Sequence, residues 1–574
     1  MSGQLAGSAA LARFALRRDR VMVPAWIYLV LIGVSETAYV FARLYKTSSA
    51  RAGLAASGES NPALLFLYGR LNGTSVGALT AWRYGVWAAL FAVLMTIFIV
   101  TRHTRADEET GRLELIGSAR VGRQAPLAAA VAVAVTANLV LTALLCVALR
   151  LIGLPVAGSA AFALAIGTCG LAFTGISAVT AQLASGARGA RGLAIGLLGL
   201  SFLLRAIGDS AGASGPAWLT WALPLGWTEM LRPFGAPRWW VLALPLGLFA
   251  LGVWAAFSLN GRRDLGAGLL PGRPGRASAT AALRGPLSLS WRLERTTLAG
   301  WAAGYVCIFA VCGAAAKGIG QLFGTSGALR AEFARIGGQA AIVNAYLAAL
   351  MLLAGLVASA YGVSAVLRLS AQETGQGADL ILSGPVGRIR WALGQLLVAI
   401  TGMALLLAVA GIASGLGYGL RVGGAGQEAV RMLGAAEAQL PAALVIAGVA
   451  AAAFGLAPDA CAAVGWTALG LVVALSIFGP TLRLSHWALD LSPFTHAPRL
   501  PGGVAAVAPL VWLAALAVAL AAIGLAALRG RDISLRTTAP LLPAGPARAG
   551  DPAIRTFFVT FGPKTHHAAD LAWN

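Results

Sequence analysis

Long apolar runs, separated by short polar segments, make up most of the chain. A helix of about 20 apolar residues crosses the hydrocarbon core of a bilayer, and each run is close to that length or longer. Twelve such runs predict twelve membrane-spanning helices. The first six lie near residues 21–43, 82–101, 127–149, 156–184, 191–208 and 239–258. The second six lie near residues 298–317, 339–366, 391–418, 440–457, 463–479 and 505–528. The pattern predicts an all-α polytopic membrane protein.

The composition excludes several classes of soluble protein. Of the 574 residues, 58% are apolar and 11% are charged, and the mean hydropathy is +0.78. Soluble domains have about 45–50% apolar and about 25% charged residues, so a secreted enzyme, a soluble DNA-binding protein and a disordered scaffold are excluded. The five cysteines form no CxxC motif and no Cys/His cluster, and we interpret them as small core residues.

The basic residues outnumber the acidic ones, 43 to 21, which gives a formal net charge of +22. In a membrane protein such an excess concentrates in the cytoplasmic loops, so it does not indicate nucleic-acid binding. The bias predicts a multi-pass protein of the plasma membrane, surrounded by the lipid bilayer, with both termini cytoplasmic. Nearly all of the basic residues are arginines, which indicates a bacterium with a GC-rich genome.

A basic segment rich in glycine, proline and serine separates two sets of six spans, and a polar tail follows the last span. The predicted parts are an amphipathic N-terminal elbow helix at 1–20, a first six-span half at 21–258, a cytoplasmic linker with a second elbow helix at 259–297, a second six-span half at 298–528 and a cytoplasmic tail at 529–574.

Blocks of the first half recur in the second half in the same order. The pairs are ETGR at 109–112 with ETGQ at 373–376, VGR at 121–123 with VGR at 386–388, and WALPL at 221–225 with WALDL at 487–491. Since six spans is an even number, the two copies have the same orientation in the membrane. Parallel repeats of this kind imply a pseudo-two-fold axis along the membrane normal and a pathway between the halves.

The segment 102–123 is dense in charge. As a helix it pairs Arg105 with Glu109 and Glu108 with Arg112 at i,i+4, which stabilises a helix by about 0.3–0.5 kcal/mol a pair. The segment therefore predicts a short amphipathic helix on the cytoplasmic face. An ordinary solvated loop that obeys the positive-inside rule is the alternative. A second copy in the other half favours a docking surface for a partner with two-fold symmetry.

Sequence motifs for catalysis are missing. None of the three lysines follows a glycine, so the chain contains no G-x-x-x-x-G-K-[ST] loop to hold a nucleotide phosphate. It also contains no HExxH motif. We therefore expect no catalytic residue, no metal site and no cofactor bound by this chain.

The repeated blocks resemble those of the ABC-2-type exporter permeases of the tetronasin-resistance, or polyketide-antibiotic exporter, group. So do FALRRDR at 14–20 and LSPFTHAPRLP at 491–501, and the resemblance extends over about residues 10–530. It implies a fused permease subunit of two tandem six-helix ABC-2 halves, similar to type V exporters. It also implies ATP-driven export of small amphipathic compounds, such as drugs, antibiotics or lipid-like molecules, by alternating access.

By the same resemblance, the segment after the second span of each half is a coupling helix. The coupling helices contact two copies of a separately encoded ABC ATPase, which binds ATP and Mg²⁺. The residues expected at these contacts are Arg105, Glu108, Glu109, Gly111, Arg112, Glu114, Arg123, Glu373, Gly375, Asp379 and Arg388. Gln376 stands where the first copy has an arginine, so the two contacts are expected to be unequal. The resemblance also implies that 210–238 and 480–503 are short, partly re-entrant segments.

Glu36, near the outer end of the first span, is the clearest carboxylate within a span. An intramembrane acid is costly and is a functional candidate by default. Arg83, Arg205 and Asp209 are expected at a similar depth, so a structural salt bridge among these residues is the favoured interpretation. Recognition of a cationic substrate is the alternative, and Glu36, Arg83 and Trp87 are the candidate residues of the substrate pathway.

A secondary drug/proton antiporter is the rival function. An antiporter of that kind needs carboxylates in the middle of its spans for proton relay, whereas Glu36 lies near one end. It also carries a Gly-x-x-x-Asp-Arg type of loop, which the segment 102–123 does not match. The sequence therefore favours the exporter permease.

Overall fold

The computed structural model describes residues 3–531 with short gaps. Outside the description lie 1–2, 61, 119, 211–215, 265, 271–277, 279–282, 284, 324–337, 375–376, 480–483 and 532–574. The predicted contact residue Gly375 and nearly all of the predicted tail therefore lie outside the described residues.

The described residues form helices joined by short connections. The helices before the linker are α1 (Ser8–Arg18), α2 (Met22–Leu44), α3 (Ser48–Ser60), α4 (Pro62–Tyr68), α5 (Val76–Thr101), α6 (Asp107–Glu109), α7 (Arg112–Gly117), α8 (Ala125–Leu151), α9 (Val156–Leu183), α10 (Ala187–Ser210), α11 (Pro224–Met230) and α12 (Ala243–Asn260). Those after it are α13 (Pro286–Phe323), α14 (Gly338–Val366), α15 (Arg368–Thr374), α16 (Gly377–Leu382), α17 (Arg388–Val422), α18 (Ala425–Glu437), α19 (Leu440–Leu456), α20 (Cys461–Phe478), α21 (His486–Leu489) and α22 (Val507–Gly530).

Eleven helices in the described part of the chain are long and apolar enough to span a membrane. They are α2, α5, α8, α9, α10, α12, α13, α14, α17, α18 continuing into α19, and α22. A shorter apolar helix, α20, coincides with the remaining predicted span at 463–479. The described residues contain no strand, so the predicted all-α polytopic fold is confirmed.

Successive spans alternate in direction, which gives the bundle two distinct ends. Helices α1, α6, α7, α15 and α16 lie at one end, called here the α1 end. Helices α3, α4, α11 and α21 lie at the opposite end. The described parts of 210–238 and 480–503 contain only short helical pieces, too short to cross the bundle, as the sequence predicts.

Glycines let two pairs of spans approach each other backbone to backbone. A methyl group added to Gly252 of α12 would lie 2.7 Å from the Cα atom of Gly175 in α9. In the later spans, a methyl group on Gly455 of α19 would clash with the carbonyl oxygen of Gly524 in α22. Small residues at such crossings bring backbones into van der Waals contact, which is the main packing force between helices in a bilayer.

The apolar core is divided at the linker. Each cluster of buried apolar side chains in the described residues contains residues from only one side of the linker. Met95 and Leu141 belong to a cluster before the linker, and Met351 and Met403 belong to one after it. Helix α4 packs against α13 and joins the two sets of spans near the opposite end of the bundle. The two sets therefore pack as separate units that meet along a limited contact.

Candidate coupling surface and substrate pathway

The segment that follows α5 is bent. A π-helical turn at Arg102–Ala106 leads into α6, and Gly111, with a φ of 69°, separates α6 from α7. A positive φ suits glycine because it has no Cβ atom. The single amphipathic helix predicted here is therefore two short helices that meet at an angle.

This bend changes which charges pair. Arg105 lies 2.8 Å from the carboxylate of Glu108, and Arg112 lies 3.3 Å from that of Asp107. The predicted i,i+4 pairs, Arg105 with Glu109 and Glu108 with Arg112, are wrong. The π-helical turn and the break at the glycine alter the helical register on which that prediction depended.

Arg105 is fully buried and binds the end of a neighbouring span. Its Nε donates to the carbonyl oxygen of Ala181, and its Nη2 donates to those of Gln182 at 3.3 Å and Ala267 at 3.0 Å. The last carbonyls of a helix lack partners within the helix, so a guanidinium that reaches them replaces the missing donors. Arg105 thereby fixes the π-helical turn to the end of α9 and to the chain beyond α12.

A second arginine, Arg263, holds the same acid from the other side. Its Nη2 lies 2.9 Å from Glu108 Oε1, and its Nε donates to the side-chain oxygen of Gln182 at 2.6 Å. Arg123, from the first VGR block, donates to the carbonyl oxygen of Arg263 at 2.5 Å. The charged segment is thus joined to the chain that leaves the last span before the linker.

The later spans repeat this arrangement. Arg531, which follows α22, donates from Nη2 to both carboxylate oxygens of Glu373, at 2.7 and 2.9 Å. Arg388, from the second VGR block, donates to the carbonyl oxygen of Arg531 at 2.6 Å. We call the pairs Arg123–Arg263 and Arg388–Arg531 the arginine clamps. The first clamp joins Glu108 to the end of α12, and the second joins Glu373, in the second copy of the charged segment, to the end of α22.

The N-terminal helix is attached to the same region by ion pairs. Asp19 lies 2.6 Å from the imidazole Nε2 of His103 and 3.1 Å from Arg102. Arg18 lies 2.7 Å from Asp107. Because these partners are on or next to the π-helical turn, α1 and the turn form one charged assembly at the surface of the bundle.

The residues expected at a partner contact fall into two groups. Those used within the chain are Arg105, Glu108, Arg123, Glu373 and Arg388. The exposed ones are Glu109, Arg112, Glu114 and Asp379, with Gly111 at the bend. Glu109 also accepts the backbone N–H of Ala187 at 2.8 Å, at the start of α10.

Two leucines protrude from the short helices of this surface. Leu115 of α7 is 77% exposed and Leu380 of α16 is 82% exposed. Each follows an exposed acid, Glu114 or Asp379, and the two dipeptides occupy equivalent positions in the sequence repeat. The two copies of the segment therefore present the same exposed pair of side chains, a leucine after a carboxylate.

A buried ionic cluster lies at the opposite end of the bundle. Arg205 of α10 is 2.9 Å from Glu229 of α11 and 3.5 Å from Asp209. The hydroxyl of Thr220 donates to Asp209 at 2.9 Å, and Arg205 donates to the carbonyl of Phe66 at 2.9 Å. Two carboxylates share one guanidinium, and burial raises the pKa of Glu229 well above its usual range. This cluster connects α4, α10 and α11.

Glu36 takes no part in that cluster. It is exposed, and within the described residues no ion pair joins it to Arg83, Arg205 or Asp209. The prediction that Glu36 belongs to this salt bridge is therefore wrong. Arg205 pairs instead with Glu229, which lies on a different segment of the chain, and with Asp209. The Arg83 guanidinium lies instead 4.3 Å from the ring centre of Tyr68.

Sequence reasoning missed the two arginines that follow the last spans. Arg263 and Arg531 each come shortly after the final span of their set, and each pairs with an acid of the charged segment. Their common position, a few residues after a last span, was a usable signal. Their partners were not, because a basic residue after a span also satisfies the positive-inside rule.

The chain is similar to known efflux proteins. Residues 283–529 match the family model described as multidrug efflux system permease Rv1217c, C-terminal domain. Over 529 residues the chain is 40% identical to the multidrug efflux system permease protein Rv1217c of Mycobacterium tuberculosis (strain ATCC 25618 / H37Rv), and this match covers 92% of the chain and 95% of that protein.

Proposed function

Because the chain belongs to the family of the multidrug efflux system permease Rv1217c, we propose that it is the membrane subunit of an ATP-binding-cassette exporter of the ABC-2 type. Two copies of a separate ATPase subunit, which hold ATP and Mg²⁺, would bind at the α1 end. That end, with both termini, then faces the cytoplasm of a bacterial cell. The exported compounds would be small amphipathic drugs, antibiotics or lipid-like molecules.

The observation that carries this proposal is the pair of protruding leucines. Leu115 and Leu380 are exposed at equivalent places in the repeat, each beside a carboxylate. A partner present in two equivalent copies would meet the same apolar and acidic feature twice. The sequence itself carries no phosphate-binding loop, so an ATP-driven exporter built on this chain needs such a partner.

The arginine clamps supply a physical connection from that surface to the spans. Arg263 and Arg531 join the charged segments to the ends of α12 and α22, with ion-pair distances of 2.9 and 2.7 Å. Movement of α7 or α16 on a closing ATPase dimer would therefore pull on the last span of each set. Alternating access follows if the two sets of spans, which pack as separate units, rock against each other.

Co-purification with the ATPase tests the proposal. The wild-type chain should bring down two copies of a nucleotide-binding subunit from membranes. The double variant Leu115→Arg/Leu380→Arg should lose them, because two guanidinium groups would replace the apolar contacts. Leu151→Arg is the matched control, since Leu151 is 84% exposed at the other end of the bundle.

Two results would contradict the proposal. One is a wild-type chain that purifies without any ATPase while its drug export collapses on addition of a protonophore, which is the behaviour of an antiporter. The other is equal loss of the ATPase from the control variant and the double variant.

A further inference from the structure

Arg83 is a cation without an acidic partner in the described residues. It lies two turns into α5 from Val76 and is exposed, with its guanidinium 4.3 Å from the ring centre of Tyr68. Tyr45 and Tyr346 are the other groups that act on it electrostatically. Charged side chains within a membrane nearly always pair with an opposite charge or mark a substrate pathway. Arg83 is therefore a candidate to bind an anion from outside the described residues.

The surroundings of Arg83 come from both sets of spans. Tyr68 ends α4, the helix that packs against α13, and Tyr346 lies on α14 with its hydroxyl donating to the carbonyl of Cys312. Arg83 thus lies where the two sets meet. At the 264-residue spacing of the ETGR and ETGQ blocks, the equivalent position in the later spans is Leu347, so this charge has no symmetry mate.

An open apolar stripe continues from Arg83 along α5. Trp87, Leu90 and Leu94 follow it at helical spacing, and all three are partly exposed, whereas most of the intervening residues, such as Val93, are buried. Residues at i, i+4, i+7 and i+11 share one face of a helix. That face therefore presents a cation at its outer end, followed by an indole and two leucines.

We propose that Arg83 binds the negatively charged group of an amphipathic ligand, whose apolar body lies along Trp87, Leu90 and Leu94. A guanidinium stacked on an aromatic ring still presents its N–H donors to a carboxylate in the plane of the group. The inference rests on the proposed function in one respect, because it names the substrate class of the same exporter. It assigns to the pathway an anion site rather than a cation site.

Binding of matched probes tests the site without the ATPase. The chain is placed in phosphatidylcholine nanodiscs, and 1-pyrenebutyrate is compared with the uncharged 1-pyrenebutanol by energy transfer from tryptophan, with empty discs subtracted. The wild type should bind the carboxylate about tenfold more tightly, as expected for a charge-assisted hydrogen bond. Arg83→Gln should abolish this preference, and Arg83→Lys should keep part of it.

Arg43→Gln is the matched control. The Arg43 guanidinium is also stacked on a tyrosine, 4.5 Å from the ring centre of Tyr39, and it is also exposed near the same end of the bundle. Tyr39 is on its own helix, however, so Arg43 does not depend on the second set of spans. The preference for pyrenebutyrate should survive in this variant.

Other outcomes overturn the inference. Equal binding of the two probes to the wild type would do so, and so would a preference that persists in Arg83→Gln. A lipid phosphate is the other source of the same anion chemistry, so the binding is repeated in discs that contain phosphatidylglycerol. A preference that survives there supports a ligand site, and one that disappears shows that lipid headgroups occupy Arg83. Failure of ATPase co-purification would count against the proposed function alone, because this binding uses no nucleotide and no partner.

Discussion

The Arg531 side chain reaches back across 158 residues to Glu373 and donates from one nitrogen to both carboxylate oxygens, at 2.9 and 2.7 Å. Before the linker, Arg263 pairs with Glu108 at 2.9 Å, one residue ahead of the position that aligns with Glu373 in the repeat. In both sets of spans, an arginine that follows the last span therefore binds an acid that follows the second span. Both contacts are intramolecular, so these acids attach the proposed docking helices to the ends of the last spans.

Loss of the Arg531–Glu373 pair should loosen the α1 end of the later spans. Glu373→Gln and Arg531→Gln should each speed alkylation of the buried Cys461, which packs in one cluster with Phe454. Since the two side chains interact, the double variant should lose less free energy of unfolding than the two single variants lose together, and the difference should be about 1–3 kcal/mol. The measurement is thiol labelling during thermal unfolding. Arg529→Gln, at an exposed arginine, should leave the labelling unchanged, and a response equal to that of Arg531→Gln would contradict the pairing.

Arg105→Gln should strongly destabilise the chain. The substitution removes the buried guanidinium that serves Glu108 and three backbone carbonyls. Glu108 keeps Arg263, so the cost should fall somewhat below the ~3–5 kcal/mol of a buried charge left without any partner. Arg105→Lys should rescue little, because one ammonium group cannot reach so many acceptors. Arg112→Gln, at a side chain 53% exposed, should cost less than about 1 kcal/mol. The comparison is made by thermal unfolding in detergent, and equal midpoints for the Arg105 and Arg112 variants would refute the prediction.

Glu36→Gln and Arg205→Gln should differ in their effect on the free energy of unfolding, because Glu36 is exposed whereas Arg205 lies in the buried ionic cluster. Glu36 has no ion pair in the described residues, so its replacement should change stability by less than about 0.5 kcal/mol. Arg205 holds Glu229 and Asp209, so its loss should cost about 3–5 kcal/mol. Yield and unfolding midpoint report both effects. Weaker export of cationic compounds by Glu36→Gln at an unchanged protein level would support the cationic-substrate interpretation of that residue.

Glu229 should make stability depend on pH. Because burial raises its pKa above the ordinary value of 4.5, the folded chain holds this proton more tightly than the unfolded chain does. The stability from this group is full below the ordinary value and is lost as the pH rises through the raised pKa. Glu229→Gln, which has no proton to lose, should flatten the fall of the unfolding midpoint from mildly acidic to mildly alkaline pH. Glu59→Gln, at an exposed glutamate, should follow the wild type, and parallel curves for all three proteins would disprove the assignment.

The spans themselves could be predicted because hydropathy is a local property. Eleven predicted spans correspond to helices long and apolar enough to cross a membrane, and the one at 463–479 is the shorter helix α20. The details of the charged segment could not be predicted in the same way. A regular helix was assumed, and the π-helical turn at Arg102–Ala106 and the positive φ of Gly111 changed every pairing in it.

The partners of the buried charges also depend on long-range packing. Asp209 was expected at the same depth as Arg205, and the two side chains do lie 3.5 Å apart. Glu229 was not expected there, because it lies on the short helix α11, whose position against α10 no local pattern specifies. The same holds for Arg83, which was expected to face Glu36 and faces tyrosines instead.

The sequence by itself therefore determined the membrane class, the number and order of the apolar helices, the repeated blocks and the lack of a phosphate-binding loop. Each of these follows from neighbouring residues or from spacing along the chain. Only the tertiary structure decided that Glu108 and Glu373 are held by arginines beyond the last spans and that Leu115 and Leu380 are left exposed. It also decided that, among the residues the structure describes, no acid pairs with Arg83. The physical reason is that an ion pair acts over a few ångströms in space, whereas these partners are separated by as many as 158 residues along the chain.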